Sequence, residues 1–257
     1  MNIIVCCKFV PNTQDIEIRP DGSYSLDKAE WQISDYDLQA IEAGVQLANT
    51  TGSRLLALSV GSSRIEATQL RKDLLSRGPE ELHLVTDSIL GDADTAVISK
   101  VLAEMIKKLE ADLVLFGDGS ADYYFQQTGL QVGERLAWAN LNSIDAIEPM
   151  GDRVRVERLL EDEIEVLEVR LPAVLTVTSS INTPSMPGMK AILSAGKKSV
   201  KVWSLSDAGI DAGQAARIDV ISASAPENVD RKGIIINGTI QETVAELIRN
   251  IEAEGLL

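Results

Sequence analysis

The stretch ELHLVTDSILGDADTAVISKVLAEMIKKLEADLVLFG, residues 81–117, contains a complete strand, helix and strand pattern. Apolar runs at 81–86 and 112–117 predict two buried strands. Between them, apolar residues recur every three to four positions, which predicts a helix over 95–109 with one buried face. Asp94 is placed to cap the N-terminus of that helix. A strand, helix and strand in this order is the repeating unit of a parallel sheet.

The same alternation extends to both sides of this unit. Further strands are predicted at 2–9, 54–60 and 143–148, and further helices at 36–49, 64–76 and 126–138. Because the helices alternate with apolar strands, we expect them to cover both faces of one sheet. The sequence therefore predicts an α/β fold with a doubly wound, mostly parallel sheet.

Two segments interrupt this alternation. Residues 11–31 contain a Pro-Asp-Gly turn and indicate a loop or a small hairpin. Residues 153–169 alternate apolar and charged positions, which predicts a β-hairpin insertion. The run LPAVLTVTSS, residues 171–180, predicts one more buried strand after that hairpin.

The character of the chain changes after this last strand. Residues 181–203 contain two prolines, two glycines and two methionines, which favours a docking loop over a core element. Residues 205–232 are rich in small and polar side chains and indicate an extended connection. Thr239 and Glu242 form a capping box, which predicts a terminal helix over 240–253 with one apolar face.

Composition excludes several classes of protein. The chain has 257 residues, 45% of them hydrophobic, and a formal net charge of −15. A chain of this length and hydrophobic content can bury a core, which excludes a disordered protein. The negative charge disfavours general binding to nucleic acid or to anionic membranes. One short basic cluster is present, formed by Lys197, Lys198 and Lys201.

The sequence also indicates a compartment. No apolar run approaches the roughly 20 residues that span a bilayer, so we expect no direct membrane insertion. The N-terminus lacks the pattern of a signal peptide. Cys6 and Cys7 are adjacent in an apolar run and cannot readily bridge each other, which predicts buried thiols in a reducing compartment. We therefore expect a soluble, cytoplasmic protein.

The loop after the strand at 112–117 is the best candidate site. Residues 116–129 read FGDGSADYYFQQTG. Glycines allow a ligand to approach the backbone, and the N-terminus of the helix beginning near Gln126 favours a phosphate. Gln127 and Thr128 are candidate side-chain donors. The alternative is a tight strand-to-helix turn that binds no ligand.

Other candidate groups carry less chemistry. The chain has neither a P-loop nor a GxGxxG motif after its first strand, which disfavours an NTPase and an ordinary NAD dehydrogenase. His83 is the only histidine, so we expect a packed side chain and neither a catalytic triad nor a metal site. Asp35, Asp37 and Glu42 are expected to complement the dipole of their helix, and the acids of 161–165 to be solvated. We therefore expect no catalytic residue and no enzyme activity.

Several segments together resemble one protein family in order and spacing. They are IIVCCKFVP (3–11), SDYDLQAIEAG (34–44), SRGPEELHLV (76–85), FGDGSADYYFQQTG (116–129) and VRLPAVLTVTSSINTPSMPGMKAILSAGKK (169–198). In these segments the chain resembles the beta subunit of electron-transfer flavoproteins. It is most similar to the bacterial branch associated with nitrogen fixation and anaerobic carnitine reduction.

This resemblance implies a fold and a division of the chain. The fold is the adenine-nucleotide alpha-hydrolase-like, Rossmann-type three-layer arrangement. Residues 1–182 then form the nucleotide-binding α/β domain. Residues 183–204 form a partner-recognition loop and the basic strand that follows it. Residues 205–257 form an extended C-terminal arm and helix that contact the alpha subunit.

The resemblance also implies a function. Beta subunits of this family form heterodimers with an alpha subunit that holds FAD. Electrons pass from a dehydrogenase, acyl-CoA dehydrogenase-like or NADH-linked, to a quinone oxidoreductase or another acceptor. The beta subunit itself holds AMP or a second FAD. These properties imply an electron carrier and not an enzyme.

Site residues follow from the matching motifs. The residues implied to bind the nucleotide are Cys6, Ser34, Val60, Gly117, Asp118, Gly119, Ser120, Ala121, Asp122, Gln126, Gln127, Thr128 and Gly129. Met186 and Met189 are implied to dock the partner dehydrogenase, with Met189 at the anchor position. The alternative is that both methionines pack onto their own domain.

Departures from the family pattern leave two questions open. Ser185 stands where the family usually has arginine, and the region of Thr13 lacks the tyrosine of housekeeping members. The choice between AMP and FAD stays open, as does an alternative function, a free-standing adenine-nucleotide-binding module of universal-stress-protein type. That alternative leaves residues 180–232 without a role.

Overall fold

A computed structural model of the chain describes residues 1–211, 218, 220–226 and 231–256. Within these residues the strands are β1 (Asn2–Cys6), β2 (Phe9–Pro11), β3 (Glu17–Ile18), β4 (Tyr24–Ser25), β5 (Trp31–Ile33), β6 (Arg54–Gly61), β7 (Glu81–Thr86), β8 (Leu113–Gly117), β9 (Ala139–Pro149), β10 (Arg153–Leu159), β11 (Ile164–Arg170), β12 (Ala173–Val177) and β13 (Ser199–Trp203). The helices of the same part are α1 (Asp35–Thr51), α2 (Thr68–Ser76), α3 (Thr95–Lys108), α4 (Thr128–Leu136), α5 (Met189–Ala195) and α6 (Ile240–Ala253). The predicted arm at 205–257 lies partly outside the described residues, at 212–217, 219, 227–230 and 257.

In the described part of the chain, a nine-stranded sheet has the order β11-β10-β9-β12-β8-β1-β6-β7-β13. Every pairing from β9 across to β13 is parallel, whereas β9 with β10 and β10 with β11 are antiparallel. β1 lies near the middle, and its Val5 pairs with Ala57 of β6 and with Leu115 of β8. The predicted doubly wound, mostly parallel sheet is confirmed.

Apolar side chains project from both faces of the sheet. One core packs α1, α2 and the end of α5 against the sheet. The second core packs α3 and α4 against the opposite face. Because successive residues of a strand point to opposite faces, strands that are apolar throughout supply both cores. The molecule therefore has the three layers expected of a doubly wound fold.

The helix predicted over 95–109 is α3. The Asp94 carboxylate accepts a hydrogen bond from the backbone N–H of Val97 at 2.9 Å, so the predicted N-cap is confirmed. Buried residues recur along one face of the helix, and two lysines occupy its last turn, where positive charge complements the dipole. Sequence periodicity was sufficient here because local and tertiary preferences agree.

Both predicted hairpins are present. β3 pairs with β4 within the 11–31 segment, and β10 pairs with β11 within 153–169. The terminal helix is confirmed with its predicted bounds and with both hydrogen bonds of its capping box. No helix of the described residues is long and apolar enough to cross a membrane.

Some boundaries differ from the predictions. The strand expected at 2–9 stops at Cys6, because the next residues leave the sheet and β2 pairs with β5. The helix expected at 64–76 is interrupted by the extended backbone of Ala67, so α2 is preceded by a separate short turn. The helix expected at 126–138 is shortened at both ends by left-handed residues, Gln126 and Ala137.

The segment after β12, which was predicted as a docking loop, contains regular secondary structure. Residues 189–195 form α5, which packs against α2. β13 then joins the central sheet beside β7. The sheet therefore continues past residue 182, while the functional division at 1–182, 183–204 and 205–257 stays a prediction.

Candidate functional site

The switch point of the sheet lies between β1 and β8. β1 pairs with β6 on one side and with β8 on the other, so the strand order reverses at β1. Doubly wound sheets bind ligands beyond the carboxyl ends of the strands at such a point. Cys6 and Gly117, both predicted site residues, are the last residues of β1 and β8. Residues 118–127, which follow β8, are called the 118–127 loop below.

The start of α1 contacts this loop at two points and the end of β8 at a third. Ser34, the N-cap of α1, accepts a hydrogen bond through Oγ from the N–H of Ala121 at 3.2 Å. The rings of Tyr36 and Tyr124 lie 4.9 Å apart. A Cβ on Gly117 would lie 2.5 Å from the carbonyl oxygen of Tyr36, so only glycine fits where β8 ends.

Asp37 joins the ends of the two central strands. Its carboxylate accepts a hydrogen bond from the backbone N–H of Lys8 at 2.7 Å and another from the N–H of Gly117 at 3.3 Å. The side chain is buried, at 5% exposure. Burial raises the pKa of Asp37 to about 7, although the two N–H groups and the Lys8 ammonium favour the charged form.

The prediction that Asp37 merely complements the dipole of α1 is therefore wrong. Asp35 is exposed in the first turn, as that role requires. Asp37 instead lies three and four positions before Ala40 and Ile41, on the buried stripe of the helix. The signal was present in the sequence, since a carboxylate on an apolar stripe needs hydrogen-bond partners.

Side chains fix the rest of the 118–127 loop. The Lys8 ammonium lies 2.5 Å from a carboxylate oxygen of Asp122, and Gln126 donates to Asp118 at 2.9 Å. Burial opposes the charge of Asp122, but its hydrogen bonds, above all with Lys8, hold its pKa below the usual value. Tyr124 and Gln126 have φ of 50° and 56°, a costly conformation that these contacts must hold.

The loop ends at the N-terminus of α4. Gln127 precedes the helix and accepts through Oε1 from the hydroxyl of Thr95 at 3.2 Å. Gly129 in the first turn packs closely on β12, since a Cβ there would lie 2.4 Å from Cγ2 of Thr176. The hydroxyl oxygen of Thr176 is buried without a hydrogen-bond partner among the described residues. The first-turn N–H groups of α4 lack intrahelical partners, as at every helix N-terminus, and such groups favour an anion.

The fold brings all the predicted nucleotide residues to this edge. Val60 lies one residue before the end of β6, next to β1. Gly119 packs under the ring of Tyr124, because a Cβ on it would lie 2.3 Å from Cδ2 of that ring. The edge is completed by Cys6, Ser34, Gly117, Asp118, Ser120, Ala121, Asp122, Gln126, Gln127, Thr128 and Gly129. Nucleotide binding by these residues stays a prediction.

His83 lies away from this edge, in the middle of β7. Its Nδ1 accepts a hydrogen bond from the indole N–H of Trp203 at 3.1 Å, and its Nε2 faces Glu81 at 3.1 Å. Burial is the main cause that lowers the pKa of His83. The prediction of a packed histidine is confirmed. Among the described residues, no group of three or more His, Cys, Asp or Glu side chains is placed to hold a metal ion.

Two of the three lysines of the basic cluster bind groups of the same chain. The Lys198 ammonium donates to the carbonyl oxygens of Leu75 at 2.8 Å and Pro79 at 2.7 Å, at the C-terminal end of α2. Lys201 forms an ion pair with Glu81 at 2.5 Å. These contacts leave little free positive charge to attract nucleic acid.

An apolar surface surrounds α5. Met186 and Met189 are 87% and 73% exposed, and Ile192 and Leu193 are exposed beside them. These four residues are called the docking patch. In the described residues the two methionines do not pack onto their own core, so the self-packing alternative is not observed. An exposed cluster rich in methionine is typical of interaction surfaces.

A second apolar surface lies on α6. Its exposed apolar residues are Ile240, Val244, Leu247 and Ile248, and no residue of the helix is buried. These residues recur at helical spacing and form one face. A helix with such a face gains most of its stability when another surface packs against that face.

The fold and the site define a class of protein. It is a doubly wound α/β protein whose glycine-containing loop and helix N-terminus lie at the switch point of the sheet. Residues 22–208 match the family model described as the electron transfer flavoprotein domain. Because this match spans more than half of the chain, the chain belongs to the electron-transfer flavoprotein family. The match supports a beta-type subunit, and proteins of this family carry electrons.

Proposed function

We propose that the chain is the beta subunit of a cytoplasmic electron-transfer flavoprotein heterodimer and that its 118–127 loop holds an adenine nucleotide, AMP or FAD. Its alpha partner would hold the main FAD. Electrons would pass from an acyl-CoA dehydrogenase-like or NADH-linked dehydrogenase to a quinone oxidoreductase or another acceptor. The observation that carries this proposal is the position of the loop, between the switch point and the N-terminus of α4, in a chain of this family.

The residues at this edge fit a nucleotide. The first-turn N–H groups of α4 follow directly on the loop and favour a phosphate. FAD bound here would supply redox chemistry, whereas AMP would supply none. In both cases the chain binds and orients the nucleotide.

Two apolar surfaces support the proposed partners. The docking patch would contact the dehydrogenase through Met189, as the family resemblance implies, because a flexible apolar side chain suits a shared docking surface. The apolar face of α6 would contact the alpha subunit. A free-standing nucleotide-binding module would leave both surfaces exposed to water without a role.

Co-expression with the candidate alpha subunit tests the proposal. The complex is purified through a tag on the alpha subunit, its nucleotides are released with acid, and chromatography identifies them. The alpha subunit purified alone is the control, and it should yield one FAD. Two FAD, or one FAD and one AMP, per heterodimer would support a nucleotide in this chain and would decide between the two forms.

Two outcomes would contradict the proposal. A heterodimer that contains one FAD and no other nucleotide would remove the nucleotide from the 118–127 loop. Failure of the folded chain to co-purify with the alpha subunit would remove the heterodimer.

A further inference from the structure

A buried carboxylate occupies the junction that shapes the candidate site. Asp37 accepts hydrogen bonds from the N–H of Lys8, just beyond β1, and from the N–H of Gly117, at the end of β8. The 118–127 loop begins directly after Gly117, so Asp37 fixes the residue from which the loop departs. One side chain on α1 therefore connects the segment that follows β1 with the end of β8.

The two hydrogen bonds favour an ionised carboxylate. Such a group accepts through both oxygens, whereas a protonated carboxyl turns one oxygen into a donor. Because the N–H of Lys8 and the N–H of Gly117 are both donors, protonation leaves one of them facing a hydroxyl oxygen, which is a weaker acceptor. The Gly117 contact is the longer of the two, at 3.3 Å against 2.7 Å, so it is the one expected to break.

The groups around Asp37 determine the pH at which its carboxylate takes up a proton. The ionisable groups that face it are the thiols of Cys6 and Cys7, the ammonium of Lys8 and the carboxylate of Asp122. Lys8 favours the charged form of Asp37, Asp122 disfavours it, and burial disfavours it most. Together they place the pKa of Asp37 at about 7.

We propose, on the basis of the nucleotide role proposed above, that Asp37 is a positioning residue for the 118–127 loop, and that nucleotide affinity falls when its carboxylate takes up a proton. The carboxylate acts through the backbone of Gly117 and needs no contact with the nucleotide. Strained loop residues persist only where the surrounding structure fixes their conformation, and the contacts of Asp37 are part of that structure. The beta subunit thereby binds its nucleotide more tightly above neutral pH than below it.

Calorimetric titration of the full chain with AMP, and in parallel with FAD, tests this inference at pH 6, 7 and 8. Asp37→Asn keeps the shape but offers one acceptor oxygen, and Asp35→Asn is the matched control in the exposed first turn of the same helix. We expect affinity to fall about tenfold from pH 8 to pH 6 in the wild type and in Asp35→Asn. Asp37→Asn should bind about tenfold more weakly than the wild type at pH 8, and the two affinities should converge at pH 6. The titration of the AMP phosphate itself affects all three proteins equally.

The outcomes separate this inference from the proposed function. If Asp37→Asn binds as the wild type does at every pH, or if the wild type binds more tightly at pH 6, the positioning role is wrong. If neither the wild type nor Asp35→Asn binds AMP or FAD at any pH, the proposed nucleotide site fails instead. Should Asp37→Asn not fold, the amide resonances of Lys8 and Gly117 in the wild type decide the matter. They should shift together with a midpoint near pH 7, and constant shifts would overturn the inference.

Discussion

Asp37 shows what a single buried residue contributes to stability. Between about pH 4 and pH 7 the folded chain keeps a proton that the unfolded chain has lost, because folding raises the pKa of Asp37 from 3.8 to about 7. Stability therefore falls as pH rises through this range, by about 1.4 kcal/mol per pH unit from this group alone. Ionisation of the carboxylate that fixes the loop therefore lowers the free energy of unfolding.

This linkage gives a prediction that is independent of any ligand. The difference in free energy of unfolding between the wild type and Asp37→Asn should shift against the wild type by roughly 4 kcal/mol from pH 4 to pH 7. Urea unfolding followed by circular dichroism at several pH values measures that difference. Asp35→Asn should follow the wild type throughout, and a constant difference for Asp37→Asn would show that Asp37 titrates normally.

Gly117 is the second residue on which the site depends. In Gly117→Ala, the new Cβ would lie 2.5 Å from the backbone carbonyl oxygen of Tyr36, so the first turn of α1 must move. We expect a loss of about 1–3 kcal/mol in stability and less nucleotide in the purified heterodimer. Gly188→Ala is the control, because a Cβ there meets nothing within 4 Å and its φ of −73° suits alanine. Equal stability of the two variants would contradict the close packing at Gly117.

At the scale of elements, α5 carries the exposed docking patch. Met189→Ala removes its anchor while leaving the core intact, since Met189 is 73% exposed. We expect the rate of electron transfer from the partner dehydrogenase to fall about tenfold at low protein concentration, which corresponds to about 1.4 kcal/mol of docking energy. Ile164→Ala, on the exposed face of β11, is the control. Equal rates for both variants would show that docking occurs elsewhere.

The terminal helix α6 has a different expected role. Leu247→Gln places a polar group on its exposed apolar face and should weaken association with the alpha subunit, because the proposed heterodimer buries that face. Glu252→Gln, at an exposed polar position of the same helix, is the control. Analytical ultracentrifugation of the mixed subunits measures the difference. Unchanged association of Leu247→Gln would exclude this face from the interface.

Sequence patterns predicted elements better than their ends. α3 and α6 were predicted almost to the residue because periodicity, capping and burial agree in both. β1 and α4 were predicted too long, because the chain leaves the sheet after Cys6 and because Gln126 and Ala137 adopt left-handed backbone conformations. A left-handed non-glycine residue is imposed by tertiary contacts, so local propensity does not reveal it.

For the molecule as a whole, the sequence predicted which residues form the candidate site but not the contacts that hold the 118–127 loop. The alternation of strands and helices predicted a doubly wound sheet, and the glycines after the strand at 112–117 indicated the loop, which the strand order of the structure places at the switch point. The contacts of Asp37 and Ser34 with that loop join residues 80 or more positions apart in the chain. Such contacts depend on the strand order, which no single motif specifies.

Hydrogen–deuterium exchange of the whole heterodimer, with and without AMP or FAD, tests most directly whether the switch point holds the nucleotide. Binding should slow exchange in peptides that cover 34–37 and 117–129. A competing location is the cleft between 234–237 and α6, whose lining includes Gln241 and Arg249. Protection confined to that cleft, or protection confined to the alpha subunit, would contradict a nucleotide at the 118–127 loop.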